Sequence, residues 1–264
     1  MSDKNLLTIL FIADIVGKPG LDIITALLPN LKKQYRVDLC IANGENGYNG
    51  RGLTEQIVRK YMNAGIDIVT GGNHSWNFAE FRRYLDTATK VLRPLNYPDE
   101  TPGKGALVYT TQSGHQVGII NLQGRTFMSP IDCPFKKCLY EIERIKQKTN
   151  IIFVDFHAEA TAEKIALAWY LDGKISALVG THTHVQTADE RILPGGTAYI
   201  SDAGMTGPFD SVIGMDVNVA IKRFVTQLPE KYRMATSNIR MNAVVVEINT
   251  SNGRAKSIKR INLP

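Results

Sequence analysis

The sequence predicts an α/β fold of largely parallel sheets with helices packed outside them. Three observations carry this. Near-continuous apolar runs of strand length alternate with amphipathic stretches at helical spacing. Glycine, 22 residues in all, falls mostly at the turns between apolar runs. No internal repeat, low-complexity segment or obvious linker interrupts the alternation. Residues 1–264 are therefore read as one domain, and a 264-residue chain with 44% hydrophobic content can bury a full core.

The elements follow in order. LLTILFIAD is apolar almost throughout, as a buried strand is, and the stretch to about Tyr35 reads as a helix. VDLCIANG is the next strand, and LTEQIVRKYMNAG is an amphipathic helix that stops at Gly65. IDIVTGG is a strand, a helix runs from about Phe78 to Asp86, and RPLNYPDETPGKG is a loop rich in proline and glycine. ALVYTT and HQVGIINLQG form a strand pair across a hairpin-like SGHQ turn, where His115 receives no role. PFKKCLYEIERIKQK is a helix, NIIFVDFH a strand, TAEKIALAWYLDG a helix and KISALVGTHTH a strand. TAYISDAG, MNAVVVEINT and RAKSIKRINL are further strands, the last alternating as a half-exposed edge strand does.

Composition narrows the function classes. No apolar run approaches the roughly 18 residues of a membrane span, and MSDKNLLTILFIADIVG has an acidic residue and a strand-length core, unlike a cleavable signal. A cytoplasmic protein that meets no membrane is expected. Cys40, Cys133 and Cys138 are an odd number at spacings unlike a disulfide framework and are read as free thiols in a reducing compartment. The net charge of +6 and a pI of about 9.1 favour an anionic partner such as a phosphate compound, nucleotide or RNA. The lysines and arginines are scattered, as on a solvated face.

The chemistry lies where the apolar runs end. Asp14 closes the first strand, Glu45 follows the second, Asn73 and His74 the third, His157 ends NIIFVDFH, and His182 and His184 follow KISALVG. In open α/β sheets ligands bind beyond the carboxyl ends of strands, so these side chains converge on one crevice. Singly, each has a plainer reading as a turn residue, a helix cap or a hydrogen-bonded core histidine. Together they make a mixed oxygen and nitrogen set without cysteine, which suits iron, manganese or catalytic zinc. Six ligands exceed what one tetrahedral ion uses. Two ions bridged by Glu45 would use them all and could clamp the attacking and leaving oxygens of a phosphoryl displacement.

The motifs Asp14-Ile-Val, Gly44-Glu-Asn, Gly72-Asn-His and Gly180-Thr-His-Thr-His resemble, in order, the blocks of the calcineurin-like metallophosphoesterases. That family's blocks are usually Asp-x-His, Gly-Asp-x-x-Asp, Gly-Asn-His and Gly-His-x-His. Val16 replaces the first histidine here and Glu45 the bridging aspartate. Both departures characterise the YmdB-like branch of 2',3'-cyclic-nucleotide 2'-phosphodiesterases, which NGENGYNGRGLT, GGNHSW, NLQGRTFM and DSVIGMD also resemble. The resemblance extends across nearly the whole chain.

It implies a four-layer α-β-β-α sandwich of the metallophosphoesterase type, with the metal site at one edge of the two sheets. Asp14, Glu45 and His184 would hold a first ion, and Glu45, Asn73, His157 and His182 a second. With Val16 in place of a histidine, the first ion keeps three protein ligands. Iron is the metal associated with the branch, in a divalent or mixed-valence pair, with manganese or zinc as alternatives. The substrate would be a phosphodiester such as a cyclic nucleotide, and both an RNA link and self-association are in view. His74 would stabilise the transition state and protonate the leaving oxygen, and Asn46 would either donate to a phosphate oxygen or serve as a turn residue before Gly47. Trp76 and Tyr48 offer flat faces to a base or pack internally. The competing reading is a metal-bound regulatory or RNA-associated protein of weak catalysis. An amidohydrolase also uses an H-x-H pair, but after its first strand rather than a late one.

Overall fold

Strand β1, Leu6–Ile12, shows how the sequence builds layers. Leu7, Ile9 and Phe11 point to one side and Leu10 and Ile12 to the other, all of them fully buried, so both faces of the strand are covered. The chain is described from residue 5 to 264 in a computed structural model, and the acidic Asp3 of the first stretch lies outside the described residues.

Seven strands form the first sheet: β1, β2 (Asp14–Ile15), β3 (Leu39–Asn43), β4 (Ile68–Thr70), β11 (Met205–Pro208), β12 (Ile239–Asn249) and β13 (Ala255–Leu263). They run in the order β2-β11-β12-β1-β3-β4, with β13 on the far side of β12. The six-stranded second sheet contains β5 (Ala106–Thr110), β6 (Gln116–Gln123), β7 (Ile152–His157), β8 (Ala177–Thr181), β9 (Arg191–Ile192) and β10 (Ala198–Ile200), ordered β5-β6-β7-β8-β10-β9.

Three apolar layers hold four structural layers together. Helices α1 (Gly17–Gln34), α2 (Glu55–Ala64) and α3 (Ala79–Thr87) place Ile24, Leu28, Tyr61 and Phe81 against Leu10, Ile12 and Val245 on the outer face of the first sheet. Between the sheets, Leu7, Ile9, Phe11 and Val246 meet Ile119, Phe153 and Val179, with the Phe11 and Phe153 rings 5.4 Å apart. Helices α4 (Pro134–Lys146) and α5 (Thr161–Leu171) bury Ile142 and Leu167 against Val154, Phe156 and Leu178 on the outer face of the second sheet. The result is an α-β-β-α sandwich. Local chemistry sets the boundaries where expected: Thr54 accepts a bond from Ile57 N at the start of α2, and Gly65 ends it with a left-handed φ of 106°.

Two features depart from the sequence reading. The first sheet is mixed, since β12 runs antiparallel to β1, β11 and β13, whereas the antiparallel pairing of β5 with β6 is the hairpin expected. The apolar run of β12 reports burial on both faces, which its central position between β1 and β13 supplies whatever its direction. A sixth helix, α6 (Val217–Thr226), was missed because its outer face is apolar rather than polar: Ile221, Phe224 and Val225 are all exposed. RAKSIKRINL forms the expected edge strand β13. Among the described residues no helix is long and apolar enough to cross a membrane.

Candidate metal centre

The ends of β1, β3, β4, β7 and β8 meet where the two sheets face each other, and a buried polar seam ties them there. Asp155 of β7 accepts from Asn43 Nδ2 of β3 at 3.0 Å and from the Thr70 hydroxyl of β4 through Oδ2, and from Thr181 Oγ1 of β8 at 2.8 Å through Oδ1. Burial pushes the Asp155 carboxyl up to about 7, with the threonine hydrogen bonds opposing.

Directly beyond this seam the candidate ligands gather around Glu45, which is 1% exposed. Its Oε1 lies 3.1 Å from His157 Nε2, which is also 3.0 Å from Asn73 Oδ1 and 3.0 Å from His182 Nδ1. Ligand atoms of Glu45, His157 and His182 all fall within 4.8 Å of one another, as those of a cation site do. On the other side of Glu45, Asp14 Oδ2 is 3.3 Å from His184 Nε2. The Asn46 amide is wedged there too, 3.1 Å from His184 Nε2 and 3.3 Å from Glu45 Oε1. His74 stands at the rim, with Nδ1 2.7 Å from Asn46 Oδ1 and its backbone N–H donating to Glu45 Oε2.

The hydrogen bonds on the outer sides of the three histidines decide what this cluster can do. Thr181 Oγ1 gives its proton to Asp155, so its oxygen can only accept from His157 Nδ1, 3.0 Å away, which turns Nε2 inward. His184 Nδ1 donates to the carbonyl of Ile213 at 3.0 Å, and His182 Nε2 faces the Glu159 carboxylate at 3.1 Å. Each ring therefore presents its remaining nitrogen to the centre, the arrangement by which metal-ligating histidines are oriented. Asp14 Oδ1 adds a buried acceptor with no partner among the described residues.

Charge tells the same story. Burial opposes ionisation of His157, but Glu45 outweighs it and holds the imidazole at about 9, while His157 and His74 hold Glu45 well below the usual carboxylate range. Burial and the neighbouring His157 push His182 down to about 3, and Asp14 raises His184 against the effect of burial. Buried carboxylates with their own donors turned inward favour positive charge at the centre, and a mixed N/O set fits a catalytic transition metal.

A profile of the YmdB-like protein family matches residues 10–261. The chain belongs to the YmdB-like family. It is 49% identical over 253 residues to the 2',3'-cyclic-nucleotide 2'-phosphodiesterase of Bacillus subtilis strain 168, covering 96% of each chain. Among solved structures it resembles a novel phosphatase from Mycoplasma pneumoniae at TM-score 0.92 and 34% identity, covering 98% of this chain and 94% of that one. A hypothetical protein of Thermus thermophilus matches at TM-score 0.91 and 41% identity, covering 98% and 100%. The sandwich is thus the metallophosphoesterase fold that the motifs implied.

In this YmdB-like chain, the position of the missing histidine is filled tightly. Val16 is 1% exposed, and a Cβ added at Gly207 or Gly214 would lie 2.9 or 3.1 Å from its side chain. Sequence reasoning missed the groups that hold the ligands. Thr183, between His182 (φ 100°) and His184 (φ 65°), gives its N–H and hydroxyl to Asp202 Oδ2 at 3.0 and 2.8 Å. Both histidines sit in the left-handed region, costly for residues other than glycine. Lys164 of α5 donates to the same Asp202 oxygen at 2.7 Å, both residues being 1% exposed. Asp202 lies two residues past the end of β10 and Glu159 two residues past His157, so the strand-end rule could have found them; Lys164 carries no such signal. The Trp76 ring lies 5.0 Å from that of Tyr97, and the Tyr48 ring, 44% exposed, lies 5.0 Å from that of Phe78.

Proposed function

We propose that this YmdB-like chain is a dinuclear metal-dependent phosphodiesterase acting on 2',3'-cyclic nucleotides or closely related cyclic nucleotides. Its family and its named relative make it a phosphoric diester hydrolase. The observation that carries the metal reading is the locked orientation of His157, His182 and His184, each with one ring nitrogen turned inward. Asn73, His157 and His182 serve a second cation, Asp14 and His184 a first, and Glu45 both. Asn46, read from the sequence as a donor to a phosphate oxygen, keeps its Nδ2 beside the first site, 3.1 Å from His184 Nε2, while its Oδ1 holds His74. Iron fits the donor set, as do manganese and zinc. Bound there, two such cations supply positive charge for the phosphate oxygens and acidify water for attack on phosphorus.

The protein's own groups do the rest. His74 Nδ1 is tied to Asn46 Oδ1, and the side chain is 22% exposed, so Nε2 is the nitrogen that carries a proton to the leaving oxygen. Gly72 lets the backbone pass beside Glu45 Oε2 and the His157 ring, where any Cβ would collide.

Elemental analysis of protein purified without added metal, joined to hydrolysis of bis(p-nitrophenyl) phosphate, tests the reading. About two equivalents of metal, lost in His182→Ala, and activity abolished in His74→Ala support it. Wild-type protein that neither carries iron, manganese or zinc nor takes them up would overturn it.

A further inference from the structure

The metal centre opens on one side to a cavity that the chemistry above does not use. It holds about 500 Å³, and His184 forms part of its wall. Met205, Phe209, Val212 and Ile213 give it an apolar lining, and no charged residue lines it. Its polar lining includes Ser211, Gln186, whose Nε2 is committed to three backbone carbonyls, and the two asparagines Asn242 and Asn262. Asn242 is fully buried; its Oδ1 accepts from Met205 N at 3.3 Å, while its Nδ2 has no partner among the described residues. Asn262 Oδ1 accepts from Arg240 Nε at 2.8 Å, which leaves its Nδ2 free to donate to a ligand. The Arg240 guanidinium also lies 5.9 Å from the centre of the Phe209 ring. The site thus offers a ring to stack on and amide donors whose own oxygens are committed.

A neutral, flat, acceptor-bearing ligand answers that description. A phosphate does not, because no cation lines the wall and its charge would go unmatched. Purines and pyrimidines do, since their edges carry ring nitrogens and carbonyl oxygens and their faces stack on aromatic rings. We propose that this cavity is the nucleobase subsite, with the base on Phe209, its acceptor edge toward Asn242 and Asn262, and its phosphate carried past His184 to the metal centre. This rests on the phosphodiesterase reading above.

The test uses manganese-loaded protein and two substrates, 2',3'-cyclic AMP and bis(p-nitrophenyl) phosphate, which has neither base nor ribose. Phe209→Ala should raise KM for the cyclic nucleotide about tenfold to a hundredfold, the range of a lost base stack, and leave bis(p-nitrophenyl) phosphate within about twofold. Asn242→Asp should raise the same KM while keeping the acceptor for Met205 N. Saturation-transfer NMR with adenosine gives a readout independent of turnover: contact with wild type, lost in Phe209→Ala. An unchanged KM in folded Phe209→Ala, or an equal fall on both substrates, overturns the subsite. Wild type that hydrolyses neither substrate defeats the phosphodiesterase reading, and the adenosine contact then decides the cavity alone.

Discussion

Lys164→Met should weaken the protein by about 3 kcal/mol and weaken metal binding with it. The substitution keeps the length of the side chain and removes the ammonium that meets Asp202 Oδ2 at 2.7 Å. Loss of one partner from a buried pair costs about 3–5 kcal/mol. The lower end applies here because Asp202 keeps its bonds from Thr183 N, Thr183 Oγ1 and Gly204 N. Asp202→Ala should cost about 5 kcal/mol, since it strands a buried ammonium and frees those donors. At roughly 2–4 °C per kcal/mol for a chain near this size, Tm should fall by about 6–12 °C in the first variant. Lys164→Met combined with Asp202→Leu separates stability from positioning. An apolar pair replaces an ionic one, so the cost of a stranded charge is removed and only that of the three freed donors stays, while Thr183 loses its anchor and the flanking histidines can leave their left-handed conformations. Urea unfolding gives the stabilities and titration calorimetry with manganese the affinities. A Lys164→Met protein within about 1 kcal/mol of wild type, or a double variant that binds manganese like wild type, would refute the reasoning.

Three further outcomes follow from the same geometry. Gly72→Ala should lower metal affinity by about 10- to 100-fold, because the new methyl group displaces Glu45 and His157; equal affinity by calorimetry would show that the ligands can yield. Val16→His should not create a stronger first site, since overfilling the contact with Gly207 and Gly214 costs about 1–3 kcal/mol; a gain in bound metal at unchanged Tm would contradict this. Burial raises the Cys40 thiol to about 12 and raises Cys138 too, whereas Cys133 is partly exposed. Native protein at pH 8 should therefore react with Ellman's reagent at one thiol of three, the slow pair emerging only in guanidinium.

The convergence of the candidate ligands was legible because a polar residue that ends an apolar run has few places to go. Asp14, Glu45, Asn73, His157, His182 and His184 are brought into one cluster for that reason. Layering was legible too, since the both-faces burial of β1 is written in LLTILFI. Strand direction was not: β12 is as apolar as a parallel strand because its place in the sheet, not its polarity, covers both faces. Nor was the support of the ligands. Lys164 is one lysine among many in sequence, and only the approach of α5 to the end of β10 makes it a buried anchor. Ring orientation is likewise tertiary, set for His184 by a carbonyl 29 residues away.

The seam at Asp155 has a consequence for how the molecule comes together. Asp14, Glu45 and Asn73 lie in or just past strands of the first sheet, whereas His157, His182 and His184 lie in or just past strands of the second. A pair of cations there would act as a rivet through both sheets, joining halves of the chain that are remote in sequence. Neither half on its own could hold metal tightly, so uptake would report that the two had docked in register. Every cation bound to the native state and not to the unfolded chain would then stabilise the whole sandwich rather than one loop, in proportion to the logarithm of its concentration.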